Sequence, residues 1–136
     1  MKRFHLVFGL LMFIVFLLTG QYMDRYHNHL EGVEDGVRLL YRTRHIFIFM
    51  ASLIHIVIGL YFETRIGQWQ RLIQMAGSSL LVLGTLLLIM AFINEPRNRD
   101  METPYTHWGM YVILLGISLH WLSALKRNKH KNKATG

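Results

Sequence analysis

Arg38-Leu39-Leu40-Tyr41-Arg42-Thr43-Arg44-His45 runs without a break into the apolar stretch IFIFMASLIHIVIGLYF at residues 46–62. At 100° per residue on an α-helix, His45, Ser52, His55 and Gly59 fall within an arc of about 80°, with Arg38 and Arg42 on the same side. The other side is Ile, Phe, Leu, Val and Met. Acyl chains offer a polar stripe no hydrogen-bond partner, so in a bilayer this stripe has to turn toward other protein. The segment reads as the helix around which the others assemble.

The rest of the chain supplies three further apolar runs. Of its 136 residues, 52% are hydrophobic and 17% charged, and the charges collect at the ends of runs at residues 4–23, 45–62, 72–94 and 108–125. Each run is close to the roughly 20 residues that cross a hydrocarbon core about 30 Å thick. None has the charged face that a helix keeps when it borders water. The expected fold class is therefore all-α: an integral-membrane four-helix bundle over residues 1–125, followed by a basic cytoplasmic tail at 126–136.

Lysine and arginine placement gives an orientation. The net charge is +7, carried largely by Lys2 and Arg3 at one end and by Lys126, Arg127, Lys129, Lys131 and Lys133 at the other. The connections at 24–44 and 95–106 mix acids with bases. The positive-inside rule then puts both ends in the cytoplasm and those two connections outside, in a cell membrane of the bacterial inner-membrane type. Lys2-Arg3 followed by an apolar run at residues 6–18 also has the form of a signal peptide. Leu18-Thr19-Gly20-Gln21 lacks a small-x-small cleavage site, so the first span is expected to be retained. The basic tail has no interleaved aromatics, which argues against nucleic acid as a partner. The absence of cysteine excludes disulfides, thiolate chemistry and cysteine-held metal centres.

Three more stripes appear in register with the helical period. His5, Gly9, Met12, Phe16, Thr19 and Met23 line one side of the first run, as a packing seam would. Gln74, Gly77, Ser78, Gly84 and Thr85 lie within an arc of about 120° of the third, a pattern of close approach and interhelical hydrogen bonding. The fourth run has two faces: His107, Tyr111, Leu114, Ser118 and Trp121 on one, and Gly109, Gly116, His120 and Ser123 on the other.

The first outer connection is expected to contain an amphipathic helix, because Leu30, Val33, Val37, Leu40 and Tyr41 recur at helical spacing. Acids lead and arginines follow, which suits the helix dipole, and Glu34 stands four residues before Arg38. The helix lies either on the outer surface or in continuity with the second span, and Gly32 and Gly36 weaken it. Just before it, His27 and His29 with Asp24 form a short potential copper or zinc site, balanced against a plain solvated loop.

Chemistry, if present, falls to the histidines. His45 and His107 each open a span that runs from outside to inside and so belong at one depth; His55 lies about 15 Å further in, and His120 about 19.5 Å below His107. Neutral imidazoles can hold b-type haem in a bilayer, which makes His45, His107, His55 and His120 candidate cofactor ligands. A helix serving two stacked haems must bring its histidines back to one direction. Separations of 10 and 13 residues turn it by about 80° and 140°, leaving room for one haem at most and making interhelical hydrogen bonding the plainer role.

No carboxylate lies within a run to orient a histidine, and no phosphate-binding glycine loop occurs. The expected function is thus a small non-enzymatic membrane protein that contacts lipid, a membrane-protein partner or further copies of itself. The alternatives are a haem redox protein, or a quinone or lipid-headgroup site at the outer mouth, where Arg42 and Arg44 with His45 and His107 would receive the polar group.

Overall fold

The computed structural model describes residues 1–27, 30–61, 63, 67–97 and 102–125, the side chains of His27 and Leu125 excepted. Those residues form four α-helices: α1 (Lys2–His27), α2 (Asp35–Tyr61), α3 (Gln68–Asn94) and α4 (Pro104–Leu125), with a 3-10 turn, Glu95–Arg97, closing α3. α1 packs along α2 and α3 along α4, and the two pairs join through α2 and α3. The basic tail at 126–136 and His29 lie outside the described residues.

Three helices, α1, α2 and α3, are long and apolar enough to cross a membrane. The fourth expected run, at residues 108–125, forms α4. α4 holds no charged residue from Pro104 to Leu125. The connection at 24–44 takes the second of the two forms expected of it, a helix continuous with the second span. Its helical part begins at Asp35 and is the start of α2, whose 27 residues rise about 40 Å, against a hydrocarbon core of about 30 Å. The reversal before it uses positive φ at Leu30 (65°) and Gly32 (74°). Glycine adopts that conformation freely; Leu30 is held there by burying its side chain against Tyr41, Ile48 and Phe92. Helix start at Asp35 also re-pairs Arg38, which bonds the Asp35 carboxylate instead of Glu34.

The expected stripes face inward. His5, Gly9 and Met12 of α1, Ser52, His55 and Gly59 of α2, and Gln74, Gly77, Ser78, Gly84 and Thr85 of α3 are all buried. Small residues set the helix separations. A Cβ on Gly59 would stand 2.5 Å from the Leu6 backbone nitrogen, and one on Gly9 2.8 Å from that of Ile56. α3 and α4 meet through glycines two turns apart on each, Gly77 against the Gly116 carbonyl and Gly84 against that of Gly109. Outside this polar and small interior, every helix exposes large apolar side chains, among them Leu10, Leu17, Ile46, Leu53, Leu60, Leu83, Leu115 and Leu122. This distribution inverts that of a water-soluble protein, in which polar groups dominate outside and large apolar patches are few.

Candidate functional site

Two polar clusters lie in the interior, one toward each end, and each has a recess near it. The first cluster takes one or two side chains from every helix. His5 Nδ1 lies 2.9 Å from His55 Nδ1, His5 Nε2 2.8 Å from Ser78 Oγ, Ser78 Oγ 3.2 Å from His120 Nε2, and His55 Nε2 3.1 Å from Thr85 Oγ1. Thr85 donates its hydroxyl proton to the Leu81 carbonyl at 2.8 Å.

That last bond sets the direction of the whole chain. Thr85 Oγ1 can only accept from His55, so His55 carries its proton on Nε2 and, as a neutral ring, offers Nδ1 as acceptor. His5 must then donate from Nδ1 and accept at Nε2 from the Ser78 hydroxyl, whose oxygen accepts from His120 Nε2. With all three rings neutral, every link from His120 to Leu81 has one donor and one acceptor. A buried polar network of this kind stabilises when complete and is costly when broken. Near it, a recess of about 240 Å³ reaches His120, Gln74, Glu63 and Tyr61, with Gln74 Nε2 donating to the Glu63 carbonyl at 2.9 Å.

The second cluster centres on Glu95, 2% exposed, and Arg44, 6% exposed. Arg44 Nε donates to Glu95 Oε2 at 2.7 Å. The Thr106 backbone N–H donates to Oε1 at 2.8 Å and its hydroxyl to Oε2 at 2.6 Å. α4 begins at Pro104, so the Thr106 amide is one of the first-turn donors that lack an intrahelical partner. The Glu95 carboxylate supplies one, and its charge suits the positive end of α4. The pair thus ties α2, the end of α3 and the start of α4 together. It was not visible in the sequence, which shows Glu95 only as the first residue of a mixed-charge connection.

The proposed outer-mouth groups do not converge. Arg44 is committed to Glu95, Arg42 is exposed, and His107 is exposed on α4 beside Thr103. His45 turns toward α1, where Nδ1 lies 2.8 Å from Thr19 Oγ1 and the ring stacks on Phe16 at 4.2 Å. His45 and His107 therefore face different ways. His55 and His120 do join one cluster, with His5, which the sequence placed in a packing seam, as the link between them. His27 ends α1, and among the described residues no group of three or more histidines or carboxylates could hold a metal ion.

The end that holds Arg44 and Glu95 instead carries a recess of about 320 Å³ between α1 and α3. Val15 and Leu18 of α1 and Ile89 and Ile93 of α3 line it. Thr19, Tyr22, Tyr41, Phe92 and Arg97 complete the lining, with Tyr41 engaging both Tyr22 and the Arg97 guanidinium.

No protein family, curated protein or solved structure matches the chain.

Proposed function

We propose that the protein is a four-span integral membrane protein of a bacterial inner membrane, both ends cytoplasmic, which acts by binding a membrane component or a partner and not by catalysis. The observation that carries this reading is the radial inversion of polarity: histidines, serines, threonines and an ion pair are buried, while leucines, isoleucines and tryptophans of all four helices point outward. α4 joins the spans on the same ground. It is uncharged from Pro104 to Leu125, packs on α3 through glycines, and leaves Trp108, Leu114, Leu115 and Trp121 outside.

The interior favours binding over chemistry. Each buried histidine of the cluster is tied to a hydroxyl or another histidine, as interhelical hydrogen bonding requires. The haem alternative lacks a facing pair: His5 and His55 touch directly, with no gap for a porphyrin, and His107 lies outside. The amphiphile alternative has support in the mainly apolar recess between α1 and α3. Membranes from cells expressing the full chain test the reading when washed at alkaline pH. Retention in the pellet is expected, and release into the supernatant would contradict it.

A further inference from the structure

We propose that the seam between α1 and α2 at His45 binds a lysophospholipid, its phosphate on Arg42, its free glycerol hydroxyl on His45 and its single acyl chain along three phenylalanines. The proposal rests on the membrane reading above, because the bilayer delivers such a ligand to the seam.

His45 has one ring nitrogen committed and one open. Thr19 Oγ1 donates its proton to the Phe16 carbonyl at 2.8 Å, so toward His45 Nδ1, also at 2.8 Å, it can only accept. A neutral His45 therefore carries its proton on Nδ1 and a lone pair on Nε2. Among the described residues nothing bonds Nε2, and the one side-chain nitrogen or oxygen there that is both sealed and unpaired is Arg38 Nε. Nε2 thus opens to the outside of the protein. Gly20 of α1 keeps it open, since a Cβ there would stand 3.2 Å from His45 Cε1 and 3.6 Å from Nε2. Hydrocarbon offers this acceptor no donor, so a ligand has to bring one.

Arg42 and Phe49 flank His45 on α2, the three lying within an arc of about 60°. Arg42 is exposed and stands about 4.5 Å nearer the start of the helix than His45, while Phe49 lies about 6 Å beyond it. Ring centres place Phe49 4.8 Å from Phe16 and 6.0 Å from Phe13, and Phe16 stacks on His45 at 4.2 Å. All three phenylalanines are half-buried. The seam therefore presents, in this order along α2, a cation, a neutral acceptor and an aromatic floor.

That order selects one class of lipid. Because α2 runs inward from the outer face in the reading above, Arg42 meets the headgroup zone and Phe49 the acyl chains. From its headgroup inward a lysophospholipid offers a phosphate anion, which pairs with a guanidinium through charge-assisted bonds, then the hydroxyl of the second glycerol carbon, then one chain. In a diacyl phospholipid that hydroxyl is esterified. Such a lipid brings no donor to His45 Nε2.

The test uses the full chain purified in dodecyl maltoside with palmitoyl lysophosphatidylcholine as probe, bound lipid being counted by native mass spectrometry and His45 followed by the nitrogen-15 resonance of Nε2. Wild type is expected to retain the lysolipid at a single site and to show the upfield shift of a hydrogen-bonded Nε2. An analogue without the glycerol hydroxyl, and the variants Arg42→Gln and His45→Phe, are each expected to bind about tenfold more weakly, one contact being lost. The analogue puts the question to unaltered protein, so misfolding of His45→Phe leaves the test intact. Gly20→Leu, which covers Nε2, should abolish binding at unchanged helicity, and Arg71→Gln, an exposed cation on α3, should leave it as in wild type. No lysolipid retained by wild type, equal retention of the analogue, undiminished binding by Arg42→Gln, or displacement by diacyl phosphatidylcholine or glycerol phosphate at equal concentration would each overturn the proposal. Alkaline washing of membranes holding the same chain separates the two readings: protein kept in the pellet that retains no lysolipid refutes the ligand alone, and protein released refutes the membrane reading beneath it.

Discussion

His5 Nδ1 and His55 Nδ1 stand 2.9 Å apart in the interior, and only one of the two can carry the proton between them. The direction is fixed from outside the pair, by the Thr85 hydroxyl bonding the Leu81 carbonyl, and it propagates through Ser78 to His120. A one-residue change at either histidine therefore strands several groups at once.

Truncation at this link is predicted to show coupling. His5→Ala leaves His55 Nδ1 without its donor and the Ser78 hydroxyl proton without its acceptor, which costs about 1–3 kcal/mol. In a double-mutant cycle with His55→Ala, unfolding in bicelles should give a coupling energy of about 0.6–1.7 kcal/mol, the range found for interhelical hydrogen bonds in membranes. Strict additivity would mean that the two rings do not bond.

Glu95→Ala is predicted to destabilise by about 3–5 kcal/mol, since it leaves the Arg44 guanidinium charged and unpaired in a buried site. Removing both charges, as Arg44→Leu with Glu95→Leu, should restore part of that loss. Equal or greater destabilisation in the double variant, measured by the same unfolding assay, would rule against a buried ion pair. Arg42→Ala, at an exposed position, is expected to stay within about 0.5 kcal/mol of wild type.

Glycines on the α3–α4 seam are predicted to tolerate no side chain. A Cβ on Gly84 would meet Ile113 Cγ1 at 2.6 Å and the Gly109 carbonyl at 2.9 Å, and the backbone cannot yield as a side chain can. Gly84→Ala should cost about 1–3 kcal/mol by overpacking. Gly20→Ala is the control, because its Cβ would meet only the movable His45 ring, at 3.2 Å. Equal stability of the two variants would contradict the seam.

Spectra of the purified protein, expressed with ample haem, are predicted to show no Soret band that depends on both His45 and His107. Their side chains face α1 and the helix exterior respectively. A band lost with His45→Ala and again with His107→Ala would require α4 to be rotated about its axis.

Much of this arrangement was legible in residue spacing, and the limits of that legibility are physical. Period alone brings His5, Gly9 and Met12, or Gly77, Ser78, Gly84 and Thr85, to one side of a helix, and burial follows because polar and small groups gain partners only against protein. The two faces of α4 were legible as well. His107, Tyr111, Leu114, Ser118 and Trp121 are all exposed, and Gly109, Gly116 and Ser123 are all buried. Which face turns inward was also encoded: glycines two turns apart at 109 and 116 mirror those at 77 and 84, and that match sets His107 outward. Pairing between helices is different in kind. Arg44 and Glu95 are 51 residues apart, and nothing in either one's neighbours states the rotation of α2 relative to α3 that joins them. The recess between α1 and α3 was hidden for the same reason, since its lining comes from three helices whose mutual separation no single period records.

Sidedness is the most direct measure of the account. A reporter fused after Gly136 should read cytoplasmic, and one inserted beside Asp100, in the connection between α3 and α4, should read external, because four spans place those points on opposite faces of the membrane. That outcome also requires α4 to cross. Both reporters on the same face would leave α4 uncrossed and contradict the four-span arrangement.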